Sequence, residues 1–214
     1  MFKTRDITYV HTSKTGGQFV RHILNSIYPS YTPLKYHLTL EEHNPSNHII
    51  STIRNPFDWY VSVFLFYHKI EHPVVSGLAY DFEGTVRALL TIRPERLRNL
   101  IKYPWKNNCP QPNLSAKDFE NYPPNTGYCS FTFNRMTGLR KDVEFMRFET
   151  LTEDLIKVLK QYSHITPAQE GLIRSTPCIN TTKHKHYRSY YSTELVDLVY
   201  EKEKDIFDRF HYEF

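Results

Sequence analysis

Two short segments of this chain gather the residue types that bind an anion. In the first, His11-Thr12-Ser13-Lys14-Thr15-Gly16-Gly17-Gln18, small residues run consecutively. A backbone without bulky side chains can turn several N–H groups toward one anion, and a helix starting there adds the positive end of its dipole. Lys14 supplies a mobile full charge beside them. Glycine is scarce, at seven residues, yet two of the seven are adjacent at Gly16 and Gly17. The second segment is Arg54-Asn55-Pro56-Phe57-Asp58-Trp59-Tyr60-Val61-Ser62. A guanidinium fork matches phosphate oxygens and a serine hydroxyl adds a short hydrogen bond, so Arg54 and Ser62 suit one phosphate between them. Asp58 reads as a capping or loop-fixing residue.

Both segments need a strand before them and a helix after. Ile7 to Val10 is a short apolar run with a β-branched start, and Phe19, Ile23, Leu24 and Ile27 follow at helical spacing. Ile49 to Ile53 repeats the strand signal, Pro56 suits a helix start, and Trp59, Val63, Phe66, Tyr67 and Ile70 form a second helical face. Two strand-to-helix units predict an α/β fold, a single domain over residues 1–214 with a central parallel sheet flanked by helices. In such a sheet ligands bind at the carboxyl ends of strands. Further on, a helix is expected near Phe82 to Ile92, a long aromatic surface loop over Tyr103 to Asn125, and a strand over Val143 to Phe148. Thr150-Leu151-Thr152-Glu153 has capping-box spacing before a helix through Leu159, and Ser192 is the expected cap of one last helix carrying Leu195, Leu198, Val199, Ile206 and Phe210.

Composition removes other classes. Lysine and arginine number 27 against 23 acidic residues, a net +4 that is too mild for a nucleic-acid binder. No apolar run approaches the ~20 residues of a membrane span and the opening residues lack a signal peptide's apolar stretch, so a cytoplasmic protein is expected. Cys109, Cys129 and Cys178 form no C-x-x-C pair and read as reduced packing cysteines. The eleven histidines, His184 and His186 included, fall into no metal-ligand spacing, so no metal site is assigned. The loop does not fit Walker A, because Lys14 precedes the glycines.

The paired motifs resemble the sulfotransferases that use 3′-phosphoadenosine 5′-phosphosulfate (PAPS), especially the carbohydrate-type branch. His11 to Phe19 is similar to the family's HIPKTGGTS-like loop, with Ser13 and Gln18 where Pro and Thr are usual. Arg54 to Ser62 resembles R-[ND]-P-x-[DE]-R-x-x-S. Tyr36-His37-Leu38-Thr39 looks like K-H-x-T, Arg147-Phe148-Glu149-Thr150-Leu151 like R-[YF]-E-x-L, and the Phe210 to Phe214 end like the family's tyrosine-rich tail.

The resemblance implies a P-loop-like sulfotransferase fold in which Lys14, Thr15, Gly16, Gly17 and Gln18 hold the 5′-phosphosulfate and Arg54 and Ser62 the 3′-phosphate. Thr182 and Lys183, in a basic hydroxyl-rich segment, would close over the nucleotide. Lys14 would neutralise the departing bridge oxygen and no metal would be needed. His37 is the candidate base, with His43, His48 or a glutamate as alternatives. The acceptor would be a small molecule or glycan hydroxyl, and the desulfonated nucleotide (PAP) the product. Arg147 and Glu149 read as an internal ion pair or a brace at the sheet end. Two other classes stay open: a P-loop-like small-molecule or nucleotide kinase, and a non-catalytic glycan- or anion-binding module.

Overall fold

The computed structural model describes residues 1–28, 32–33, 39–40, 43, 45–69, 81–91, 125–138, 140–179 and 184–214. The chain divides into two compact units, Met1–Arg54 with Phe133–Thr181, and Asn55–Thr132 with Thr182–Phe214.

The first unit is built on one sheet. Its strands are β1 (Phe2–Lys3), β2 (Ile7–Val10), β3 (Thr32–Pro33), β4 (His48–Ile53) and β5 (Val143–Arg147), ordered β3-β1-β2-β4-β5. The α/β class holds, but the sheet is mixed where a parallel one was expected. β2, β4 and β5 run parallel, with Ile7 opposite His48 and Ile49 opposite Val143, whereas β1 is antiparallel to both its neighbours. The reason is the link from Lys3 to Ile7. Three residues cannot make the long crossover that parallel strands need. Thr4 N–H instead donates to Ile7 O at 2.9 Å, and Thr4 Oγ1 accepts from Ile7 N at 3.1 Å, which folds a hairpin.

Alternation along the strands sorts side chains to two faces. Ile7, Tyr9, Ile50 and Met146 pack with α1 (Gly17–Ile27), α5 (Leu151–Tyr162) and Ile173 of α6 (Pro167–Ser175). Val10, Ile49 and Val143 join Met1, Leu40 and Met136 on the opposite face. The strand-to-helix unit expected over residues 7–28 is present, its helix ending at Ile27, and β5 ends one residue early because Phe148 opens a 3₁₀ turn, Phe148–Thr150. The capping box at Thr150 does not form. Asp154 Oδ2 takes both the Thr150 hydroxyl, at 3.0 Å, and the Arg147 N–H, at 2.7 Å, so the aspartate one turn later closes this end. A capping box does form at Thr166 and Gln169, ahead of α6.

The second unit is helical: α2 (Pro56–Lys69), α3 (Phe82–Leu90), the first turn of α4 (Tyr128–Thr137), a 3₁₀ turn Tyr187–Tyr190, α7 (Thr193–Lys202) and α8 (Lys204–Phe210). Asn55 starts α2, its Oδ1 accepting from Phe57 N at 3.0 Å and its carbonyl from Trp59 N at 2.8 Å, with Asp58 in the first turn. Around Phe57 stand the rings of Tyr191, Tyr200, Phe207 and Phe214, at centroid distances of 4.7 to 5.3 Å. Ser192 caps α7 through Leu195 N–H as expected, but the last helix is two helices, broken at Glu203.

Candidate functional site

The first anion segment folds as a curled loop between β2 and α1. Lys14 and Gly16 both adopt left-handed backbone, φ 64° and 82°, and so bracket Thr15 with reversed turns of the chain. Gly16 is the residue before the helix, and its carbonyl accepts from Phe19 N at 3.0 Å. It offers no side-chain cap, and the first turn of α1 carries no acidic residue of its own at the helix's positive end.

Both glycines are required by space. A Cβ on Gly17 would lie 1.8 Å from Cδ2 of His11, and one on Gly16 would lie 2.6 Å from Cδ2 of Leu151 and 3.0 Å from Cδ2 of Phe148. Lys14 is half-buried and Gln18 is exposed, whereas Thr12 and Thr15 are buried beneath the loop. The Thr15 hydroxyl turns inward, donating to Thr12 O at 2.8 Å and lying 2.6 Å from Thr52 Oγ1. Any contact Thr15 makes with an anion above the loop is therefore through its backbone.

Arg54 leaves the end of β4, next to β2 in the sheet. It is 7% exposed, its guanidinium lies 4.0 Å above the Phe148 ring, and Nη1 donates to Lys14 O at 3.2 Å. The two sequence segments thus meet at Arg54 and Lys14. Phe148, from the Arg147 to Leu151 segment, supports both Gly16 and Arg54, a part that its residue type and position did not signal. Tyr9, Thr12, Ser51 and Thr52 were also missed as groups beneath the loop.

In the second unit Ser62 is half-buried on α2. Two residues before it Tyr60 is fully buried and donates its hydroxyl to Glu203 Oε1. Glu203 is itself fully buried and serves the start of α4. Its Oε2 accepts from Ser130 N at 2.7 Å and Ser130 Oγ at 2.5 Å, and its Oε1 from Cys129 N at 3.1 Å. Burial pushes the Glu203 carboxyl up to about 7, against the pull of those donors. Gly127 makes room for it, since a Cβ there would sit 2.1 Å from Glu203 Oε1.

Cys129 is buried as expected, while Cys178 is exposed. His48, one alternative base, pairs with Glu144 at 2.9 Å and stacks on Tyr162 at the start of β4, the end of that strand away from Arg54. Thr39 and Leu40 are buried, with Leu40 N–H donating to Met136 O at 3.2 Å. His37, Thr182, Lys183, Cys109 and nearly all of the Tyr103 to Asn125 passage lie outside the described residues. Among the described residues no three His, Cys, Asp or Glu side chains gather to hold a metal, and no helix is long and apolar enough to cross a membrane.

Comparison with models of protein families, with characterised proteins and with solved structures found no match to this chain.

Proposed function

We propose that this protein is a sulfotransferase that moves a sulfuryl group from PAPS to an acceptor hydroxyl of a carbohydrate or another small molecule, on a P-loop-like scaffold. The observation that carries the reading is the meeting of Arg54 with the left-handed Lys14 at a helix start that holds no acidic residue. The Arg54 guanidinium braces the backbone of the lysine-bearing loop at a positive helix end, which suits an anionic ligand.

In this reading the Lys14 to Gln18 loop holds the 5′-phosphosulfate, and Arg54 with Ser62 holds the 3′-phosphate. The acceptor oxygen forms a bond to sulfur while the bond from sulfur to the bridging phosphate oxygen breaks. Lys14 balances the negative charge that builds on that oxygen. The acceptor proton passes to a base, for which His37 is the candidate from its K-H-x-T-like setting, since imidazole accepts protons near neutral pH. A kinase reading draws less support, because Lys14 lies ahead of the glycines and outside the Walker spacing.

Calorimetric titration with PAP in the presence of a metal chelator tests the assignment. Saturable binding is expected. Binding of ATP only with magnesium, and none of PAP, would overturn it in favour of a kinase.

A further inference from the structure

Beneath the anion loop lies a chain of hydroxyls whose direction can be worked out. Each hydroxyl has one proton to donate. Thr15 donates its proton to Thr12 O, so across the 2.6 Å contact with Thr52 the donor is Thr52. With the Thr52 proton committed to Thr15, the 3.0 Å contact from Tyr9 to Thr52 is donated by Tyr9. Ser51 likewise donates to Val10 O at 2.9 Å, so Thr12 is the donor in its 3.1 Å contact with Ser51. Two one-way chains result, Tyr9 to Thr52 to Thr15 to the Thr12 carbonyl, and Thr12 to Ser51 to the Val10 carbonyl.

These are fully or almost fully buried groups on the adjacent strands β2 and β4 and the loop between β2 and α1. An unpaired hydroxyl in such a place costs free energy, and valine or isoleucine would fill the same strand positions without it. The arrangement has one geometric consequence for the loop. Thr12 is held inward from two sides of the network, by its own hydroxyl on Ser51 and by the Thr15 hydroxyl on its carbonyl oxygen. Peptide bonds here are trans, so the N–H of the same peptide unit, that of Ser13, is directed oppositely, away from the buried hydroxyls.

We infer that Tyr9 and Thr52 are positioning residues for the anion loop: acting through Thr15, they lock the Thr12–Ser13 peptide and with it the orientation of the loop's backbone donors. The inference rests on the proposed nucleotide site, and its test separates the two. Tyr9→Phe, Thr52→Val and Thr52→Ser would be titrated with PAP and with adenosine 3′-monophosphate, which lacks the group assigned to the loop. Thr52→Val is expected to weaken PAP by roughly fivefold to tenfold, the worth of a displaced hydrogen bond, with adenosine 3′-monophosphate unchanged. Thr52→Ser restores wild-type affinity, and Tyr9→Phe, one bond further from the loop, falls between. Hydrogen exchange of the unliganded proteins supplies a readout without nucleotide: amides of residues 13–17 exchange faster in Thr52→Val and return to wild-type rates in Thr52→Ser, while those of α5 do not change.

Equal losses for both nucleotides, or failure of the serine to rescue, would mean that Thr52 acts on the fold at large, and the inference would fall. So would unchanged loop exchange in Thr52→Val. Wild-type protein that binds neither nucleotide overturns the functional reading alone, and the exchange rates then decide the positioning claim by themselves.

Discussion

The Arg54 guanidinium donates to the main-chain oxygen of Lys14, 3.2 Å away, so the residue assigned to the 3′-phosphate also braces the loop assigned to the 5′-phosphosulfate. Arg54→Ala should therefore weaken both adenosine 3′-monophosphate and adenosine 5′-monophosphate, whereas Ser62→Ala should weaken only the first. Lysine cannot reproduce the flat fork that stacks on Phe148, so Arg54→Lys should recover little. Calorimetry with the two mononucleotides checks this. A loss confined to the 3′-nucleotide in Arg54→Ala would deny the brace.

The glycines of the loop and a glycine elsewhere should respond oppositely to alanine. Gly17→Ala places a methyl 1.8 Å from the His11 ring and should cost roughly 1–3 kcal/mol or more, by the usual penalty of overpacking. Gly171, inside α6, has nothing within 4 Å of the place a methyl would take, so Gly171→Ala should stabilise by up to about 1 kcal/mol. Urea unfolding of the two variants measures both signs, and two effects of the same sign would contradict the packing described.

Glu203 makes stability depend on pH in a stated direction. Its folded carboxyl titrates at about 7 against an ordinary 4.5, so between those values the folded state holds a proton that the unfolded state has lost. Stability from this group is full below about pH 4.5, declines as pH rises through about 7, and is level above. The decline is on the order of 3 kcal/mol. Glu203→Gln should remove it, so that the stability difference between variant and wild type changes from pH 5 to about pH 7 and levels off toward pH 8. Denaturant unfolding across that range checks it, and a constant difference would place the titration elsewhere.

The parts of this architecture that were legible in the residues are those with a local cause. The Gly16-Gly17 pair and the apolar period from Phe19 to Ile27 mark the loop and α1, and Ile49 to Ile53 marks β4. What escaped notice depends on partners far along the chain. Thr52 and Ser51 look like ordinary strand residues until Thr15 and Thr12 fold over them. Glu203 stands in a run of charges, Glu201-Lys202-Glu203-Lys204-Asp205, that reads as a solvated helix face, yet it is buried against Tyr60 and Ser130. The Thr150 capping box was a sound local pattern that lost to a nearby competitor, Asp154.

Removing the candidate base separates chemistry from binding. His37→Ala should keep PAP affinity near that of wild type while turnover falls roughly 10²–10⁴-fold, the range for a positioned base. Retained turnover in His37→Ala, with its loss in a variant of His43, His48 or a nearby glutamate, would move the base and leave the nucleotide assignment standing.

The most direct measurement is transfer itself. Protein and PAPS labelled in the sulfuryl group are incubated with a panel of sugar and small-alcohol acceptors in the presence of a metal chelator, beside Lys14→Ala. Labelled sulfate is expected on at least one acceptor with wild-type protein, with a loss of transfer in Lys14→Ala that exceeds its loss of PAP affinity, because the lysine charge matters most as the bridge oxygen departs. Transfer undiminished in Lys14→Ala, or no transfer to any acceptor by wild-type protein that binds PAP, would contradict the proposed function.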